Sequence, residues 1–213
     1  MGEPSDRDTV GREWNNWAGD EGCRPQAIVR PASIEQIADA IGRAASEDWR
    51  VRVAGAGHSF SDIACSDGML VSLERFGAVL DIDRDSGLAR VQGGITIAAL
   101  NARLAEHGLA LENLGDIDVQ SIAGAISTAT HGTGAALRNI PSQVQELKLM
   151  LADGSTLVCS DRRDKRDRSD ASSGESADDG GSELLRAARR ARRAGCRGGG
   201  DAALRAGVHP ARD

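Results

Sequence analysis

The sequence predicts an α+β domain over residues 14–160, followed over residues 161–213 by a low-complexity tail that stays disordered. Three observations carry this. Strand-like runs alternate with amphipathic helical stretches as far as Ser160, two segments dense in glycine and small residues interrupt them, and the composition breaks sharply after Ser160.

The elements follow in chain order. Residues 27–31, AIVRP, form a short strand. Ser33 then opens a helix, with Gln36 three positions on completing a capping box, and Ile34, Ile37, Ala38, Ile41 and Ala45 falling on one face. RVRVA at 50–54 is the next strand and runs into a glycine loop; MLVSL at 69–73 is a third. Residues 79–83 and 88–92 make a hairpin around DRDSG. Residues 96–107 form a second amphipathic helix with Ile97, Leu100 and Leu104 inward, ended by Gly108 and capped by His107. VQELKLMLADGSTLV is a hairpin turning on Asp153-Gly154.

Beyond residue 160 there is no Ile, Phe, Trp or Met. Ordering a residue costs about 1–2 kcal/mol of backbone entropy, and this tail has too few apolar groups to offset it. One helix, at 182–194, is compatible with its pattern.

The formal net charge of −6 argues against nucleic acid as a partner. No apolar run reaches the roughly 18 residues of a membrane span, and the polar start MGEPSDRDTVGREW holds no secretory h-region. The reading is cytoplasmic. Cys23, Cys65, Cys159 and Cys196 form no C-x-x-C and stand at no zinc-finger spacing, so they read as reduced, mostly buried thiols, with no metal. Trp14 and Trp17 read as core anchors.

Two segments carry the chemistry. AGAGHS follows the strand at 50–54, where glycines let backbone N–H groups approach an anion. It is no dinucleotide G-x-G-x-x-G fingerprint, because Phe60 stands where the third glycine belongs and no helix begins there. The second segment, GDIDVQSIAGAISTATHGTG at 115–134, contains a short helix from Ser121 whose N-terminus would offer N–H groups to a phosphate. Either these are plain tight loops or they grip one large phosphate-bearing ligand from two sides. His58 itself reads four ways from the residues alone: base, metal ligand, core residue or covalent attachment point.

WNNWAGDEGCRPQAIVRPASIEQI, VRVAGAGHSFSDIACSDGMLVSL, LENLGDIDVQSIAGAISTATHGTG and ELKLMLADGSTLVCS, in unbroken order over residues 14–160, closely resemble the PCMH-type FAD-binding domain of sugar-1,4-lactone oxidases. That group comprises gulonolactone, arabinonolactone and alditol oxidases within the vanillyl-alcohol-oxidase-like flavoproteins. The resemblance implies a fold of two α+β subdomains, here about 20–84 and 85–160, with FAD between them and residues 1–13 a flexible N-terminus. It implies that His58 is joined to the flavin 8α-methyl, and that Ala54, Gly55, Ala56, Gly57 and Ser59 cradle the pyrophosphate. Asp116, Ser121 and Gly124 match flavin-contacting positions. Thr128, Ala129, Thr130, His131 and Gly132 match a TGTHG run in which Ala129 replaces glycine, a source of strain if φ is positive there. His131 reads either as a structural histidine or as a cofactor contact. Gly115 lies where the family controls oxygen access, and a glycine leaves space, as in oxidases.

The implied activity is oxidation of a CH–OH group in a sugar lactone or alditol, hydride passing to flavin and electrons to oxygen or another acceptor. The alternative is a non-catalytic flavin-binding fragment or decayed gene product. Family members continue past the hairpin with a stretch like ELFRAARVGLGALGVVT and then a substrate domain bearing the catalytic groups. This chain instead reads SELLRAARRARRAGCRGGG, as GC-rich codons for that stretch would if shifted by one nucleotide. The expectation is therefore an incomplete, truncated or frameshifted fold whose second subdomain lacks central strands and which is catalytically silent alone.

Overall fold

The computed structural model describes residues 13–160, 203–207 and 209–210. A two-stranded ribbon, β1 (Trp14–Asn15) with β2 (Gly22–Cys23), leads into a parallel three-stranded sheet. Its order is β3 (Ala27–Val29), β5 (Met69–Ser72), β4 (Val51–Ala54).

Between β3 and β4 runs α1 (Ile34–Ser46). Its cap forms at Ser33, whose hydroxyl accepts the Gln36 N–H. Gln36 Oε1 reaches back to the Ala32 N–H at 2.7 Å, one residue before the position a capping box specifies. The buried face is Ile37, Ala40, Ile41 and Ala44. Ala45 is exposed, against the expected stripe, because the i, i+3, i+4, i+7 row through Ile37 reaches Ala44 instead.

This sheet is covered on both sides, as parallel sheets are. Ala27, Met69, Val71 and Val51 pack with α1, while Ile28, Leu70, Ala54 and Ala64 form a separate small core, with Trp14 half-buried against it.

The second sheet is antiparallel, ordered β10 (Thr156–Ser160), β9 (Val144–Met150), β11 (Ala203–Gly207), β7 (Leu88–Val91), β6 (Val79–Asp83). Strand β6, placed by the sequence boundary near 84 in the first part, belongs to this sheet, because its ladder partner is β7 across the hairpin. The other hairpin turns as expected: the Ser155 hydroxyl and N–H bond the Asp153 carboxylate and hold its pKa below the usual range.

Helix α2 (Ile97–Ala105) packs Ile97, Leu100 and Leu104, all fully buried, into the core of this sheet. Each such burial stabilises by about 1.5–3 kcal/mol relative to exposure. The helix stops at Gly108, φ +69°, and His107 Nδ1 sits 3.0 Å from the Arg103 carbonyl as the cap the sequence predicted.

Strand β11 corrects one expectation. Most of the tail was expected to be disordered and the second subdomain to lack central strands. Residues 203–207 instead occupy the centre of the sheet, antiparallel to both β7 and β9, with a bulge between Arg205 and Ala206. The short strand β12 (His209–Pro210) pairs with β8 (Leu109–Ala110). Low hydrophobicity misled the sequence reading here, since a strand between two partners gains its ladder hydrogen bonds from the backbone. The helix expected at 182–194 lies outside the described residues, as does Cys196.

The two sheets meet at Gly93-Gly94, just after β7. The Gly94 N–H donates to the Phe76 carbonyl at 2.8 Å, and the Gly93 carbonyl accepts the Ala123 N–H at 2.9 Å. No helix among the described residues is long and apolar enough to cross a membrane.

Candidate functional site

A cleft of about 800 Å³ opens where β4 ends. Its walls are the loop after β4, a 3-10 turn (Asp62–Ala64) and α3 (Ile122–Ser127). Both glycine-rich segments therefore face one space. Of the residues proposed from the sequence, Gly55, Ala56, Gly57, His58, Ser59, Ser121, Gly124 and Thr128 line it. Ala54 lies directly beneath, 2% exposed, as the last residue of β4.

Asp116, Ala129, Thr130, His131 and Gly132 are not among the lining residues. Asp116 is exposed on the approach to α3. The His131 ring is exposed, its Nδ1 2.8 Å from the Gly132 carbonyl, which fits its structural reading. Gly132 sits where a side chain would overlap the Leu114 carbonyl, so it pins this segment to residues 113–114. The space beside Gly115 is occupied rather than open, with the Thr130 methyl 3.1 Å from where a Cβ would stand.

The contact between the segments is direct. A methyl on Gly55 would run into Ser121 Oγ, the same atom that caps α3 by accepting the Gly124 N–H at 3.2 Å. Loop and helix approach this closely only because residue 55 has no side chain.

Donor placement corrects a second expectation. The N-terminus of α3 offers nothing to a phosphate: Ile122 N–H is bound to the Ile95 carbonyl at 2.8 Å, Ala123 N–H to Gly93, and Gly124 N–H to Ser121. The helix uses its leading N–H groups to dock on the 93–95 segment. The loop is the reverse. The backbone N–H groups of Gly55, Ala56, Gly57, His58 and Ser59 donate to no protein acceptor among the described residues. Consecutive free N–H groups of this kind form an anion cradle.

Charge agrees. The ionisable side chains lining the cleft are Arg50, Arg52 and His58, with no carboxylate among them. Neither arginine was singled out from the sequence. The available signal was their position: a strand in a parallel sheet normally reads as a continuous apolar run, and arginines alternating with Val51 and Val53 mark one side of it as facing a polar space.

His58 is half-buried, its ring stacked on Trp17 with centroids 5.0 Å apart and planes at 24°. Trp17 is 67% exposed, so it is no core anchor; its indole covers the imidazole instead of filling the interior. The described cysteines are half-buried rather than buried. Burial, and after it the Cys23 thiol bonded to it, pushes the Cys65 thiol up to about 11, so it stays protonated and a weak nucleophile at neutral pH.

Ala129 has φ +56°, the strained conformation anticipated for an alanine standing in a glycine position. Left-handed backbone costs a non-glycine residue about 1–2 kcal/mol, and glycine adds back somewhat less in unfolded-state entropy. Ala129→Gly is expected to stabilise the chain by about 1 kcal/mol, read as a rise in Tm of about 2–4 °C for a protein of this size.

A strand feeding a glycine-rich loop whose N–H groups have no protein acceptor among the described residues, over a cleft lined by two arginines, makes a site suited to a phosphate-bearing ligand. Residues 25–160 match the family model described as FAD binding domain, and the chain belongs to that family; its cofactor is FAD. The sequence is 47% identical over 151 residues to L-gulono-1,4-lactone dehydrogenase of Mycobacterium tuberculosis, covering 71% of this chain and 35% of that protein. It is 37% identical to L-gulonolactone oxidase of Mus musculus, over 71% of this chain and 34% of the relative. It is 38% identical to alditol oxidase of a Streptomyces species, over 66% and 34% respectively. Among solved structures, a solvent-stable cholesterol oxidase superposes with a TM-score of 0.60 at 23% identity, covering 70% of this chain and 32% of the other, and so shares the fold. The chain spans about a third of the length of these relatives.

Proposed function

We propose that this chain is the FAD-binding portion of an oxidoreductase that oxidises a CH–OH group of a sugar lactone or alditol. The observation that carries the reading is that the N–H groups from Gly55 to Ser59 meet no protein acceptor among the described residues, with His58 among them and lining the same cleft. These donors would hold the pyrophosphate of FAD, with Arg50 and Arg52 supplying positive charge along the strand that leads to them. Gly55 and Ser121 hold the two walls together. When bound, the flavin supplies the hydride chemistry, and the protein supplies binding and orientation.

His58 is the point of covalent attachment. A neutral imidazole is a competent nucleophile. An imidazole nitrogen of His58 would hold the flavin through its 8α carbon; forming that bond would remove one hydrogen from the nitrogen and one from the methyl, and dioxygen would take up the two electrons and two protons as hydrogen peroxide. In turnover, electrons taken from the substrate go to dioxygen or to another acceptor.

Among the described residues, the cleft lining holds no carboxylate to act as a general acid or base. That supports a division of labour in which this part holds the flavin and groups elsewhere in the whole enzyme handle the substrate proton. The test is to mix the purified chain with FAD and run it on a denaturing gel. Flavin fluorescence travelling with the polypeptide, with no lactone or alditol turnover, is the expected result. A chain that neither retains nor quenches FAD would sink the reading.

A further inference from the structure

Trp17 was unassigned by the reaction, yet the structure gives it an unusual place. A tryptophan that stabilises a fold is normally buried, whereas Trp17 is 67% exposed. Its indole lies flat along the His58 imidazole, with Phe60 edge-on to it at 6.5 Å and 90°.

The backbone around it is equally directed. The Trp17 N–H donates to the Gly57 carbonyl at 2.9 Å. The neighbouring Asn16 is buried, and its Nδ2 donates to the Ser59 carbonyl at 2.9 Å. Asn16 is itself fixed, its Oδ1 accepting the N–H groups of Asp20 and Glu21 at 3.1 and 3.2 Å. Two consecutive residues of the N-terminal segment thus grip the loop on either side of His58, and the side chain of one of them stacks on its ring.

We propose that Trp17 is a positioning residue for His58, holding the imidazole in the orientation from which it attacks the flavin methyl. This rests on the covalent reading above. An imidazole on a glycine-flanked loop otherwise samples several χ1 and χ2 states, and only a fraction present a nitrogen along the attack line. Stacking restricts that sampling, and pre-set orientation is a direct contribution to rate. Because the gripping bonds are made by the Trp17 backbone and by Asn16, removing the indole frees the imidazole while the loop stays in place.

The test uses the full chain and FAD. In the FAD-free protein, the His58 ring protons are shifted upfield by the indole ring current in wild type, and the shift is lost in Trp17→Ala. Covalent flavin attachment, followed by denaturing-gel fluorescence against time, slows about tenfold in Trp17→Ala, the scale of one lost stacked pair. It stays within about threefold in Trp17→Phe, which keeps a stacking face. Non-covalent FAD binding and Tm are unchanged in both, as expected for an exposed side chain.

A labelled wild type with Trp17→Ala attaching at the same rate overturns the inference alone. So does loss of non-covalent FAD binding in Trp17→Ala, which would make the indole a cofactor contact or a fold element. A wild type that binds FAD but carries no denaturation-resistant flavin overturns the covalent reading and this inference with it.

Discussion

In His58→Ala, flavin fluorescence no longer accompanies the polypeptide through a denaturing gel, while FAD still binds non-covalently to the native chain. The loss is expected to be complete. Among the described residues His58 is the only imidazole lining the cleft, and no lysine or cysteine lines it to take over attachment. The pyrophosphate donors are backbone groups, so they survive the substitution, and non-covalent affinity falls by no more than about tenfold, the equivalent of about 1.4 kcal/mol. His107→Ala is the matched control. It removes a histidine that caps α2 outside the cleft, and the covalent label is retained. A label that persists in His58→Ala would show that another residue carries the flavin.

Gly94→Ala is expected to produce the largest loss of stability of any methyl added at a described glycine. A Cβ there would overlap the Leu73 carbonyl oxygen, stand 2.5 Å from the Phe76 carbonyl oxygen and lie 2.8 Å from the Leu73 carbonyl carbon. All three are backbone atoms, so no side chain can swing aside. The strand that leaves β7 must instead back away from the first sheet, stretching the Gly94-to-Phe76 hydrogen bond. Overpacking of this kind costs about 3 kcal/mol, the upper end of the usual range. At the scale of about 2–4 °C per kcal/mol for such a chain, the melting temperature falls by about 6–12 °C. Because α3 docks on Gly93 and Ile95, FAD affinity falls as well. Gly42→Ala is the contrast. It lies mid-helix in α1 with nothing within 4 Å of the added methyl, and gains about 0.5–1 kcal/mol from helix propensity. Equal melting temperatures for the two variants would refute this account of the junction.

What was legible in the sequence follows the range of the interaction concerned. The Ser33 cap, the inward triad Ile97, Leu100 and Leu104, the Gly108 stop and the Asp153-Gly154 turn are all set within a few residues, and each stands where its pattern placed it. The strain at Ala129 was legible for a different reason, because it shows as alanine in a position matched to glycine. Trp17 was misread because an apolar composition does not say which apolar residues are inside. The donors of α3 were misread because a helix N-terminus looks the same in sequence whether its N–H groups face a ligand or, as here, the carbonyls of Gly93 and Ile95.

By itself the sequence placed most of the strands and helices up to Ser160 and marked AGAGHS and the segment from Gly115 as the two glycine-rich segments, with His58 inside the first. Only the tertiary structure decided that the two loops face one cleft, that the N–H groups of residues 55–59 meet no protein acceptor among the described residues while those leading α3 do, that Trp17 covers the imidazole, and that residues 203–207 complete a sheet begun at Val79. The physical reason is that hydrogen-bond satisfaction is settled by whichever carbonyl arrives from elsewhere in the chain. The same N–H group is a spent donor at Ala123 and an open one at Gly57, and nothing within ten residues of either distinguishes them.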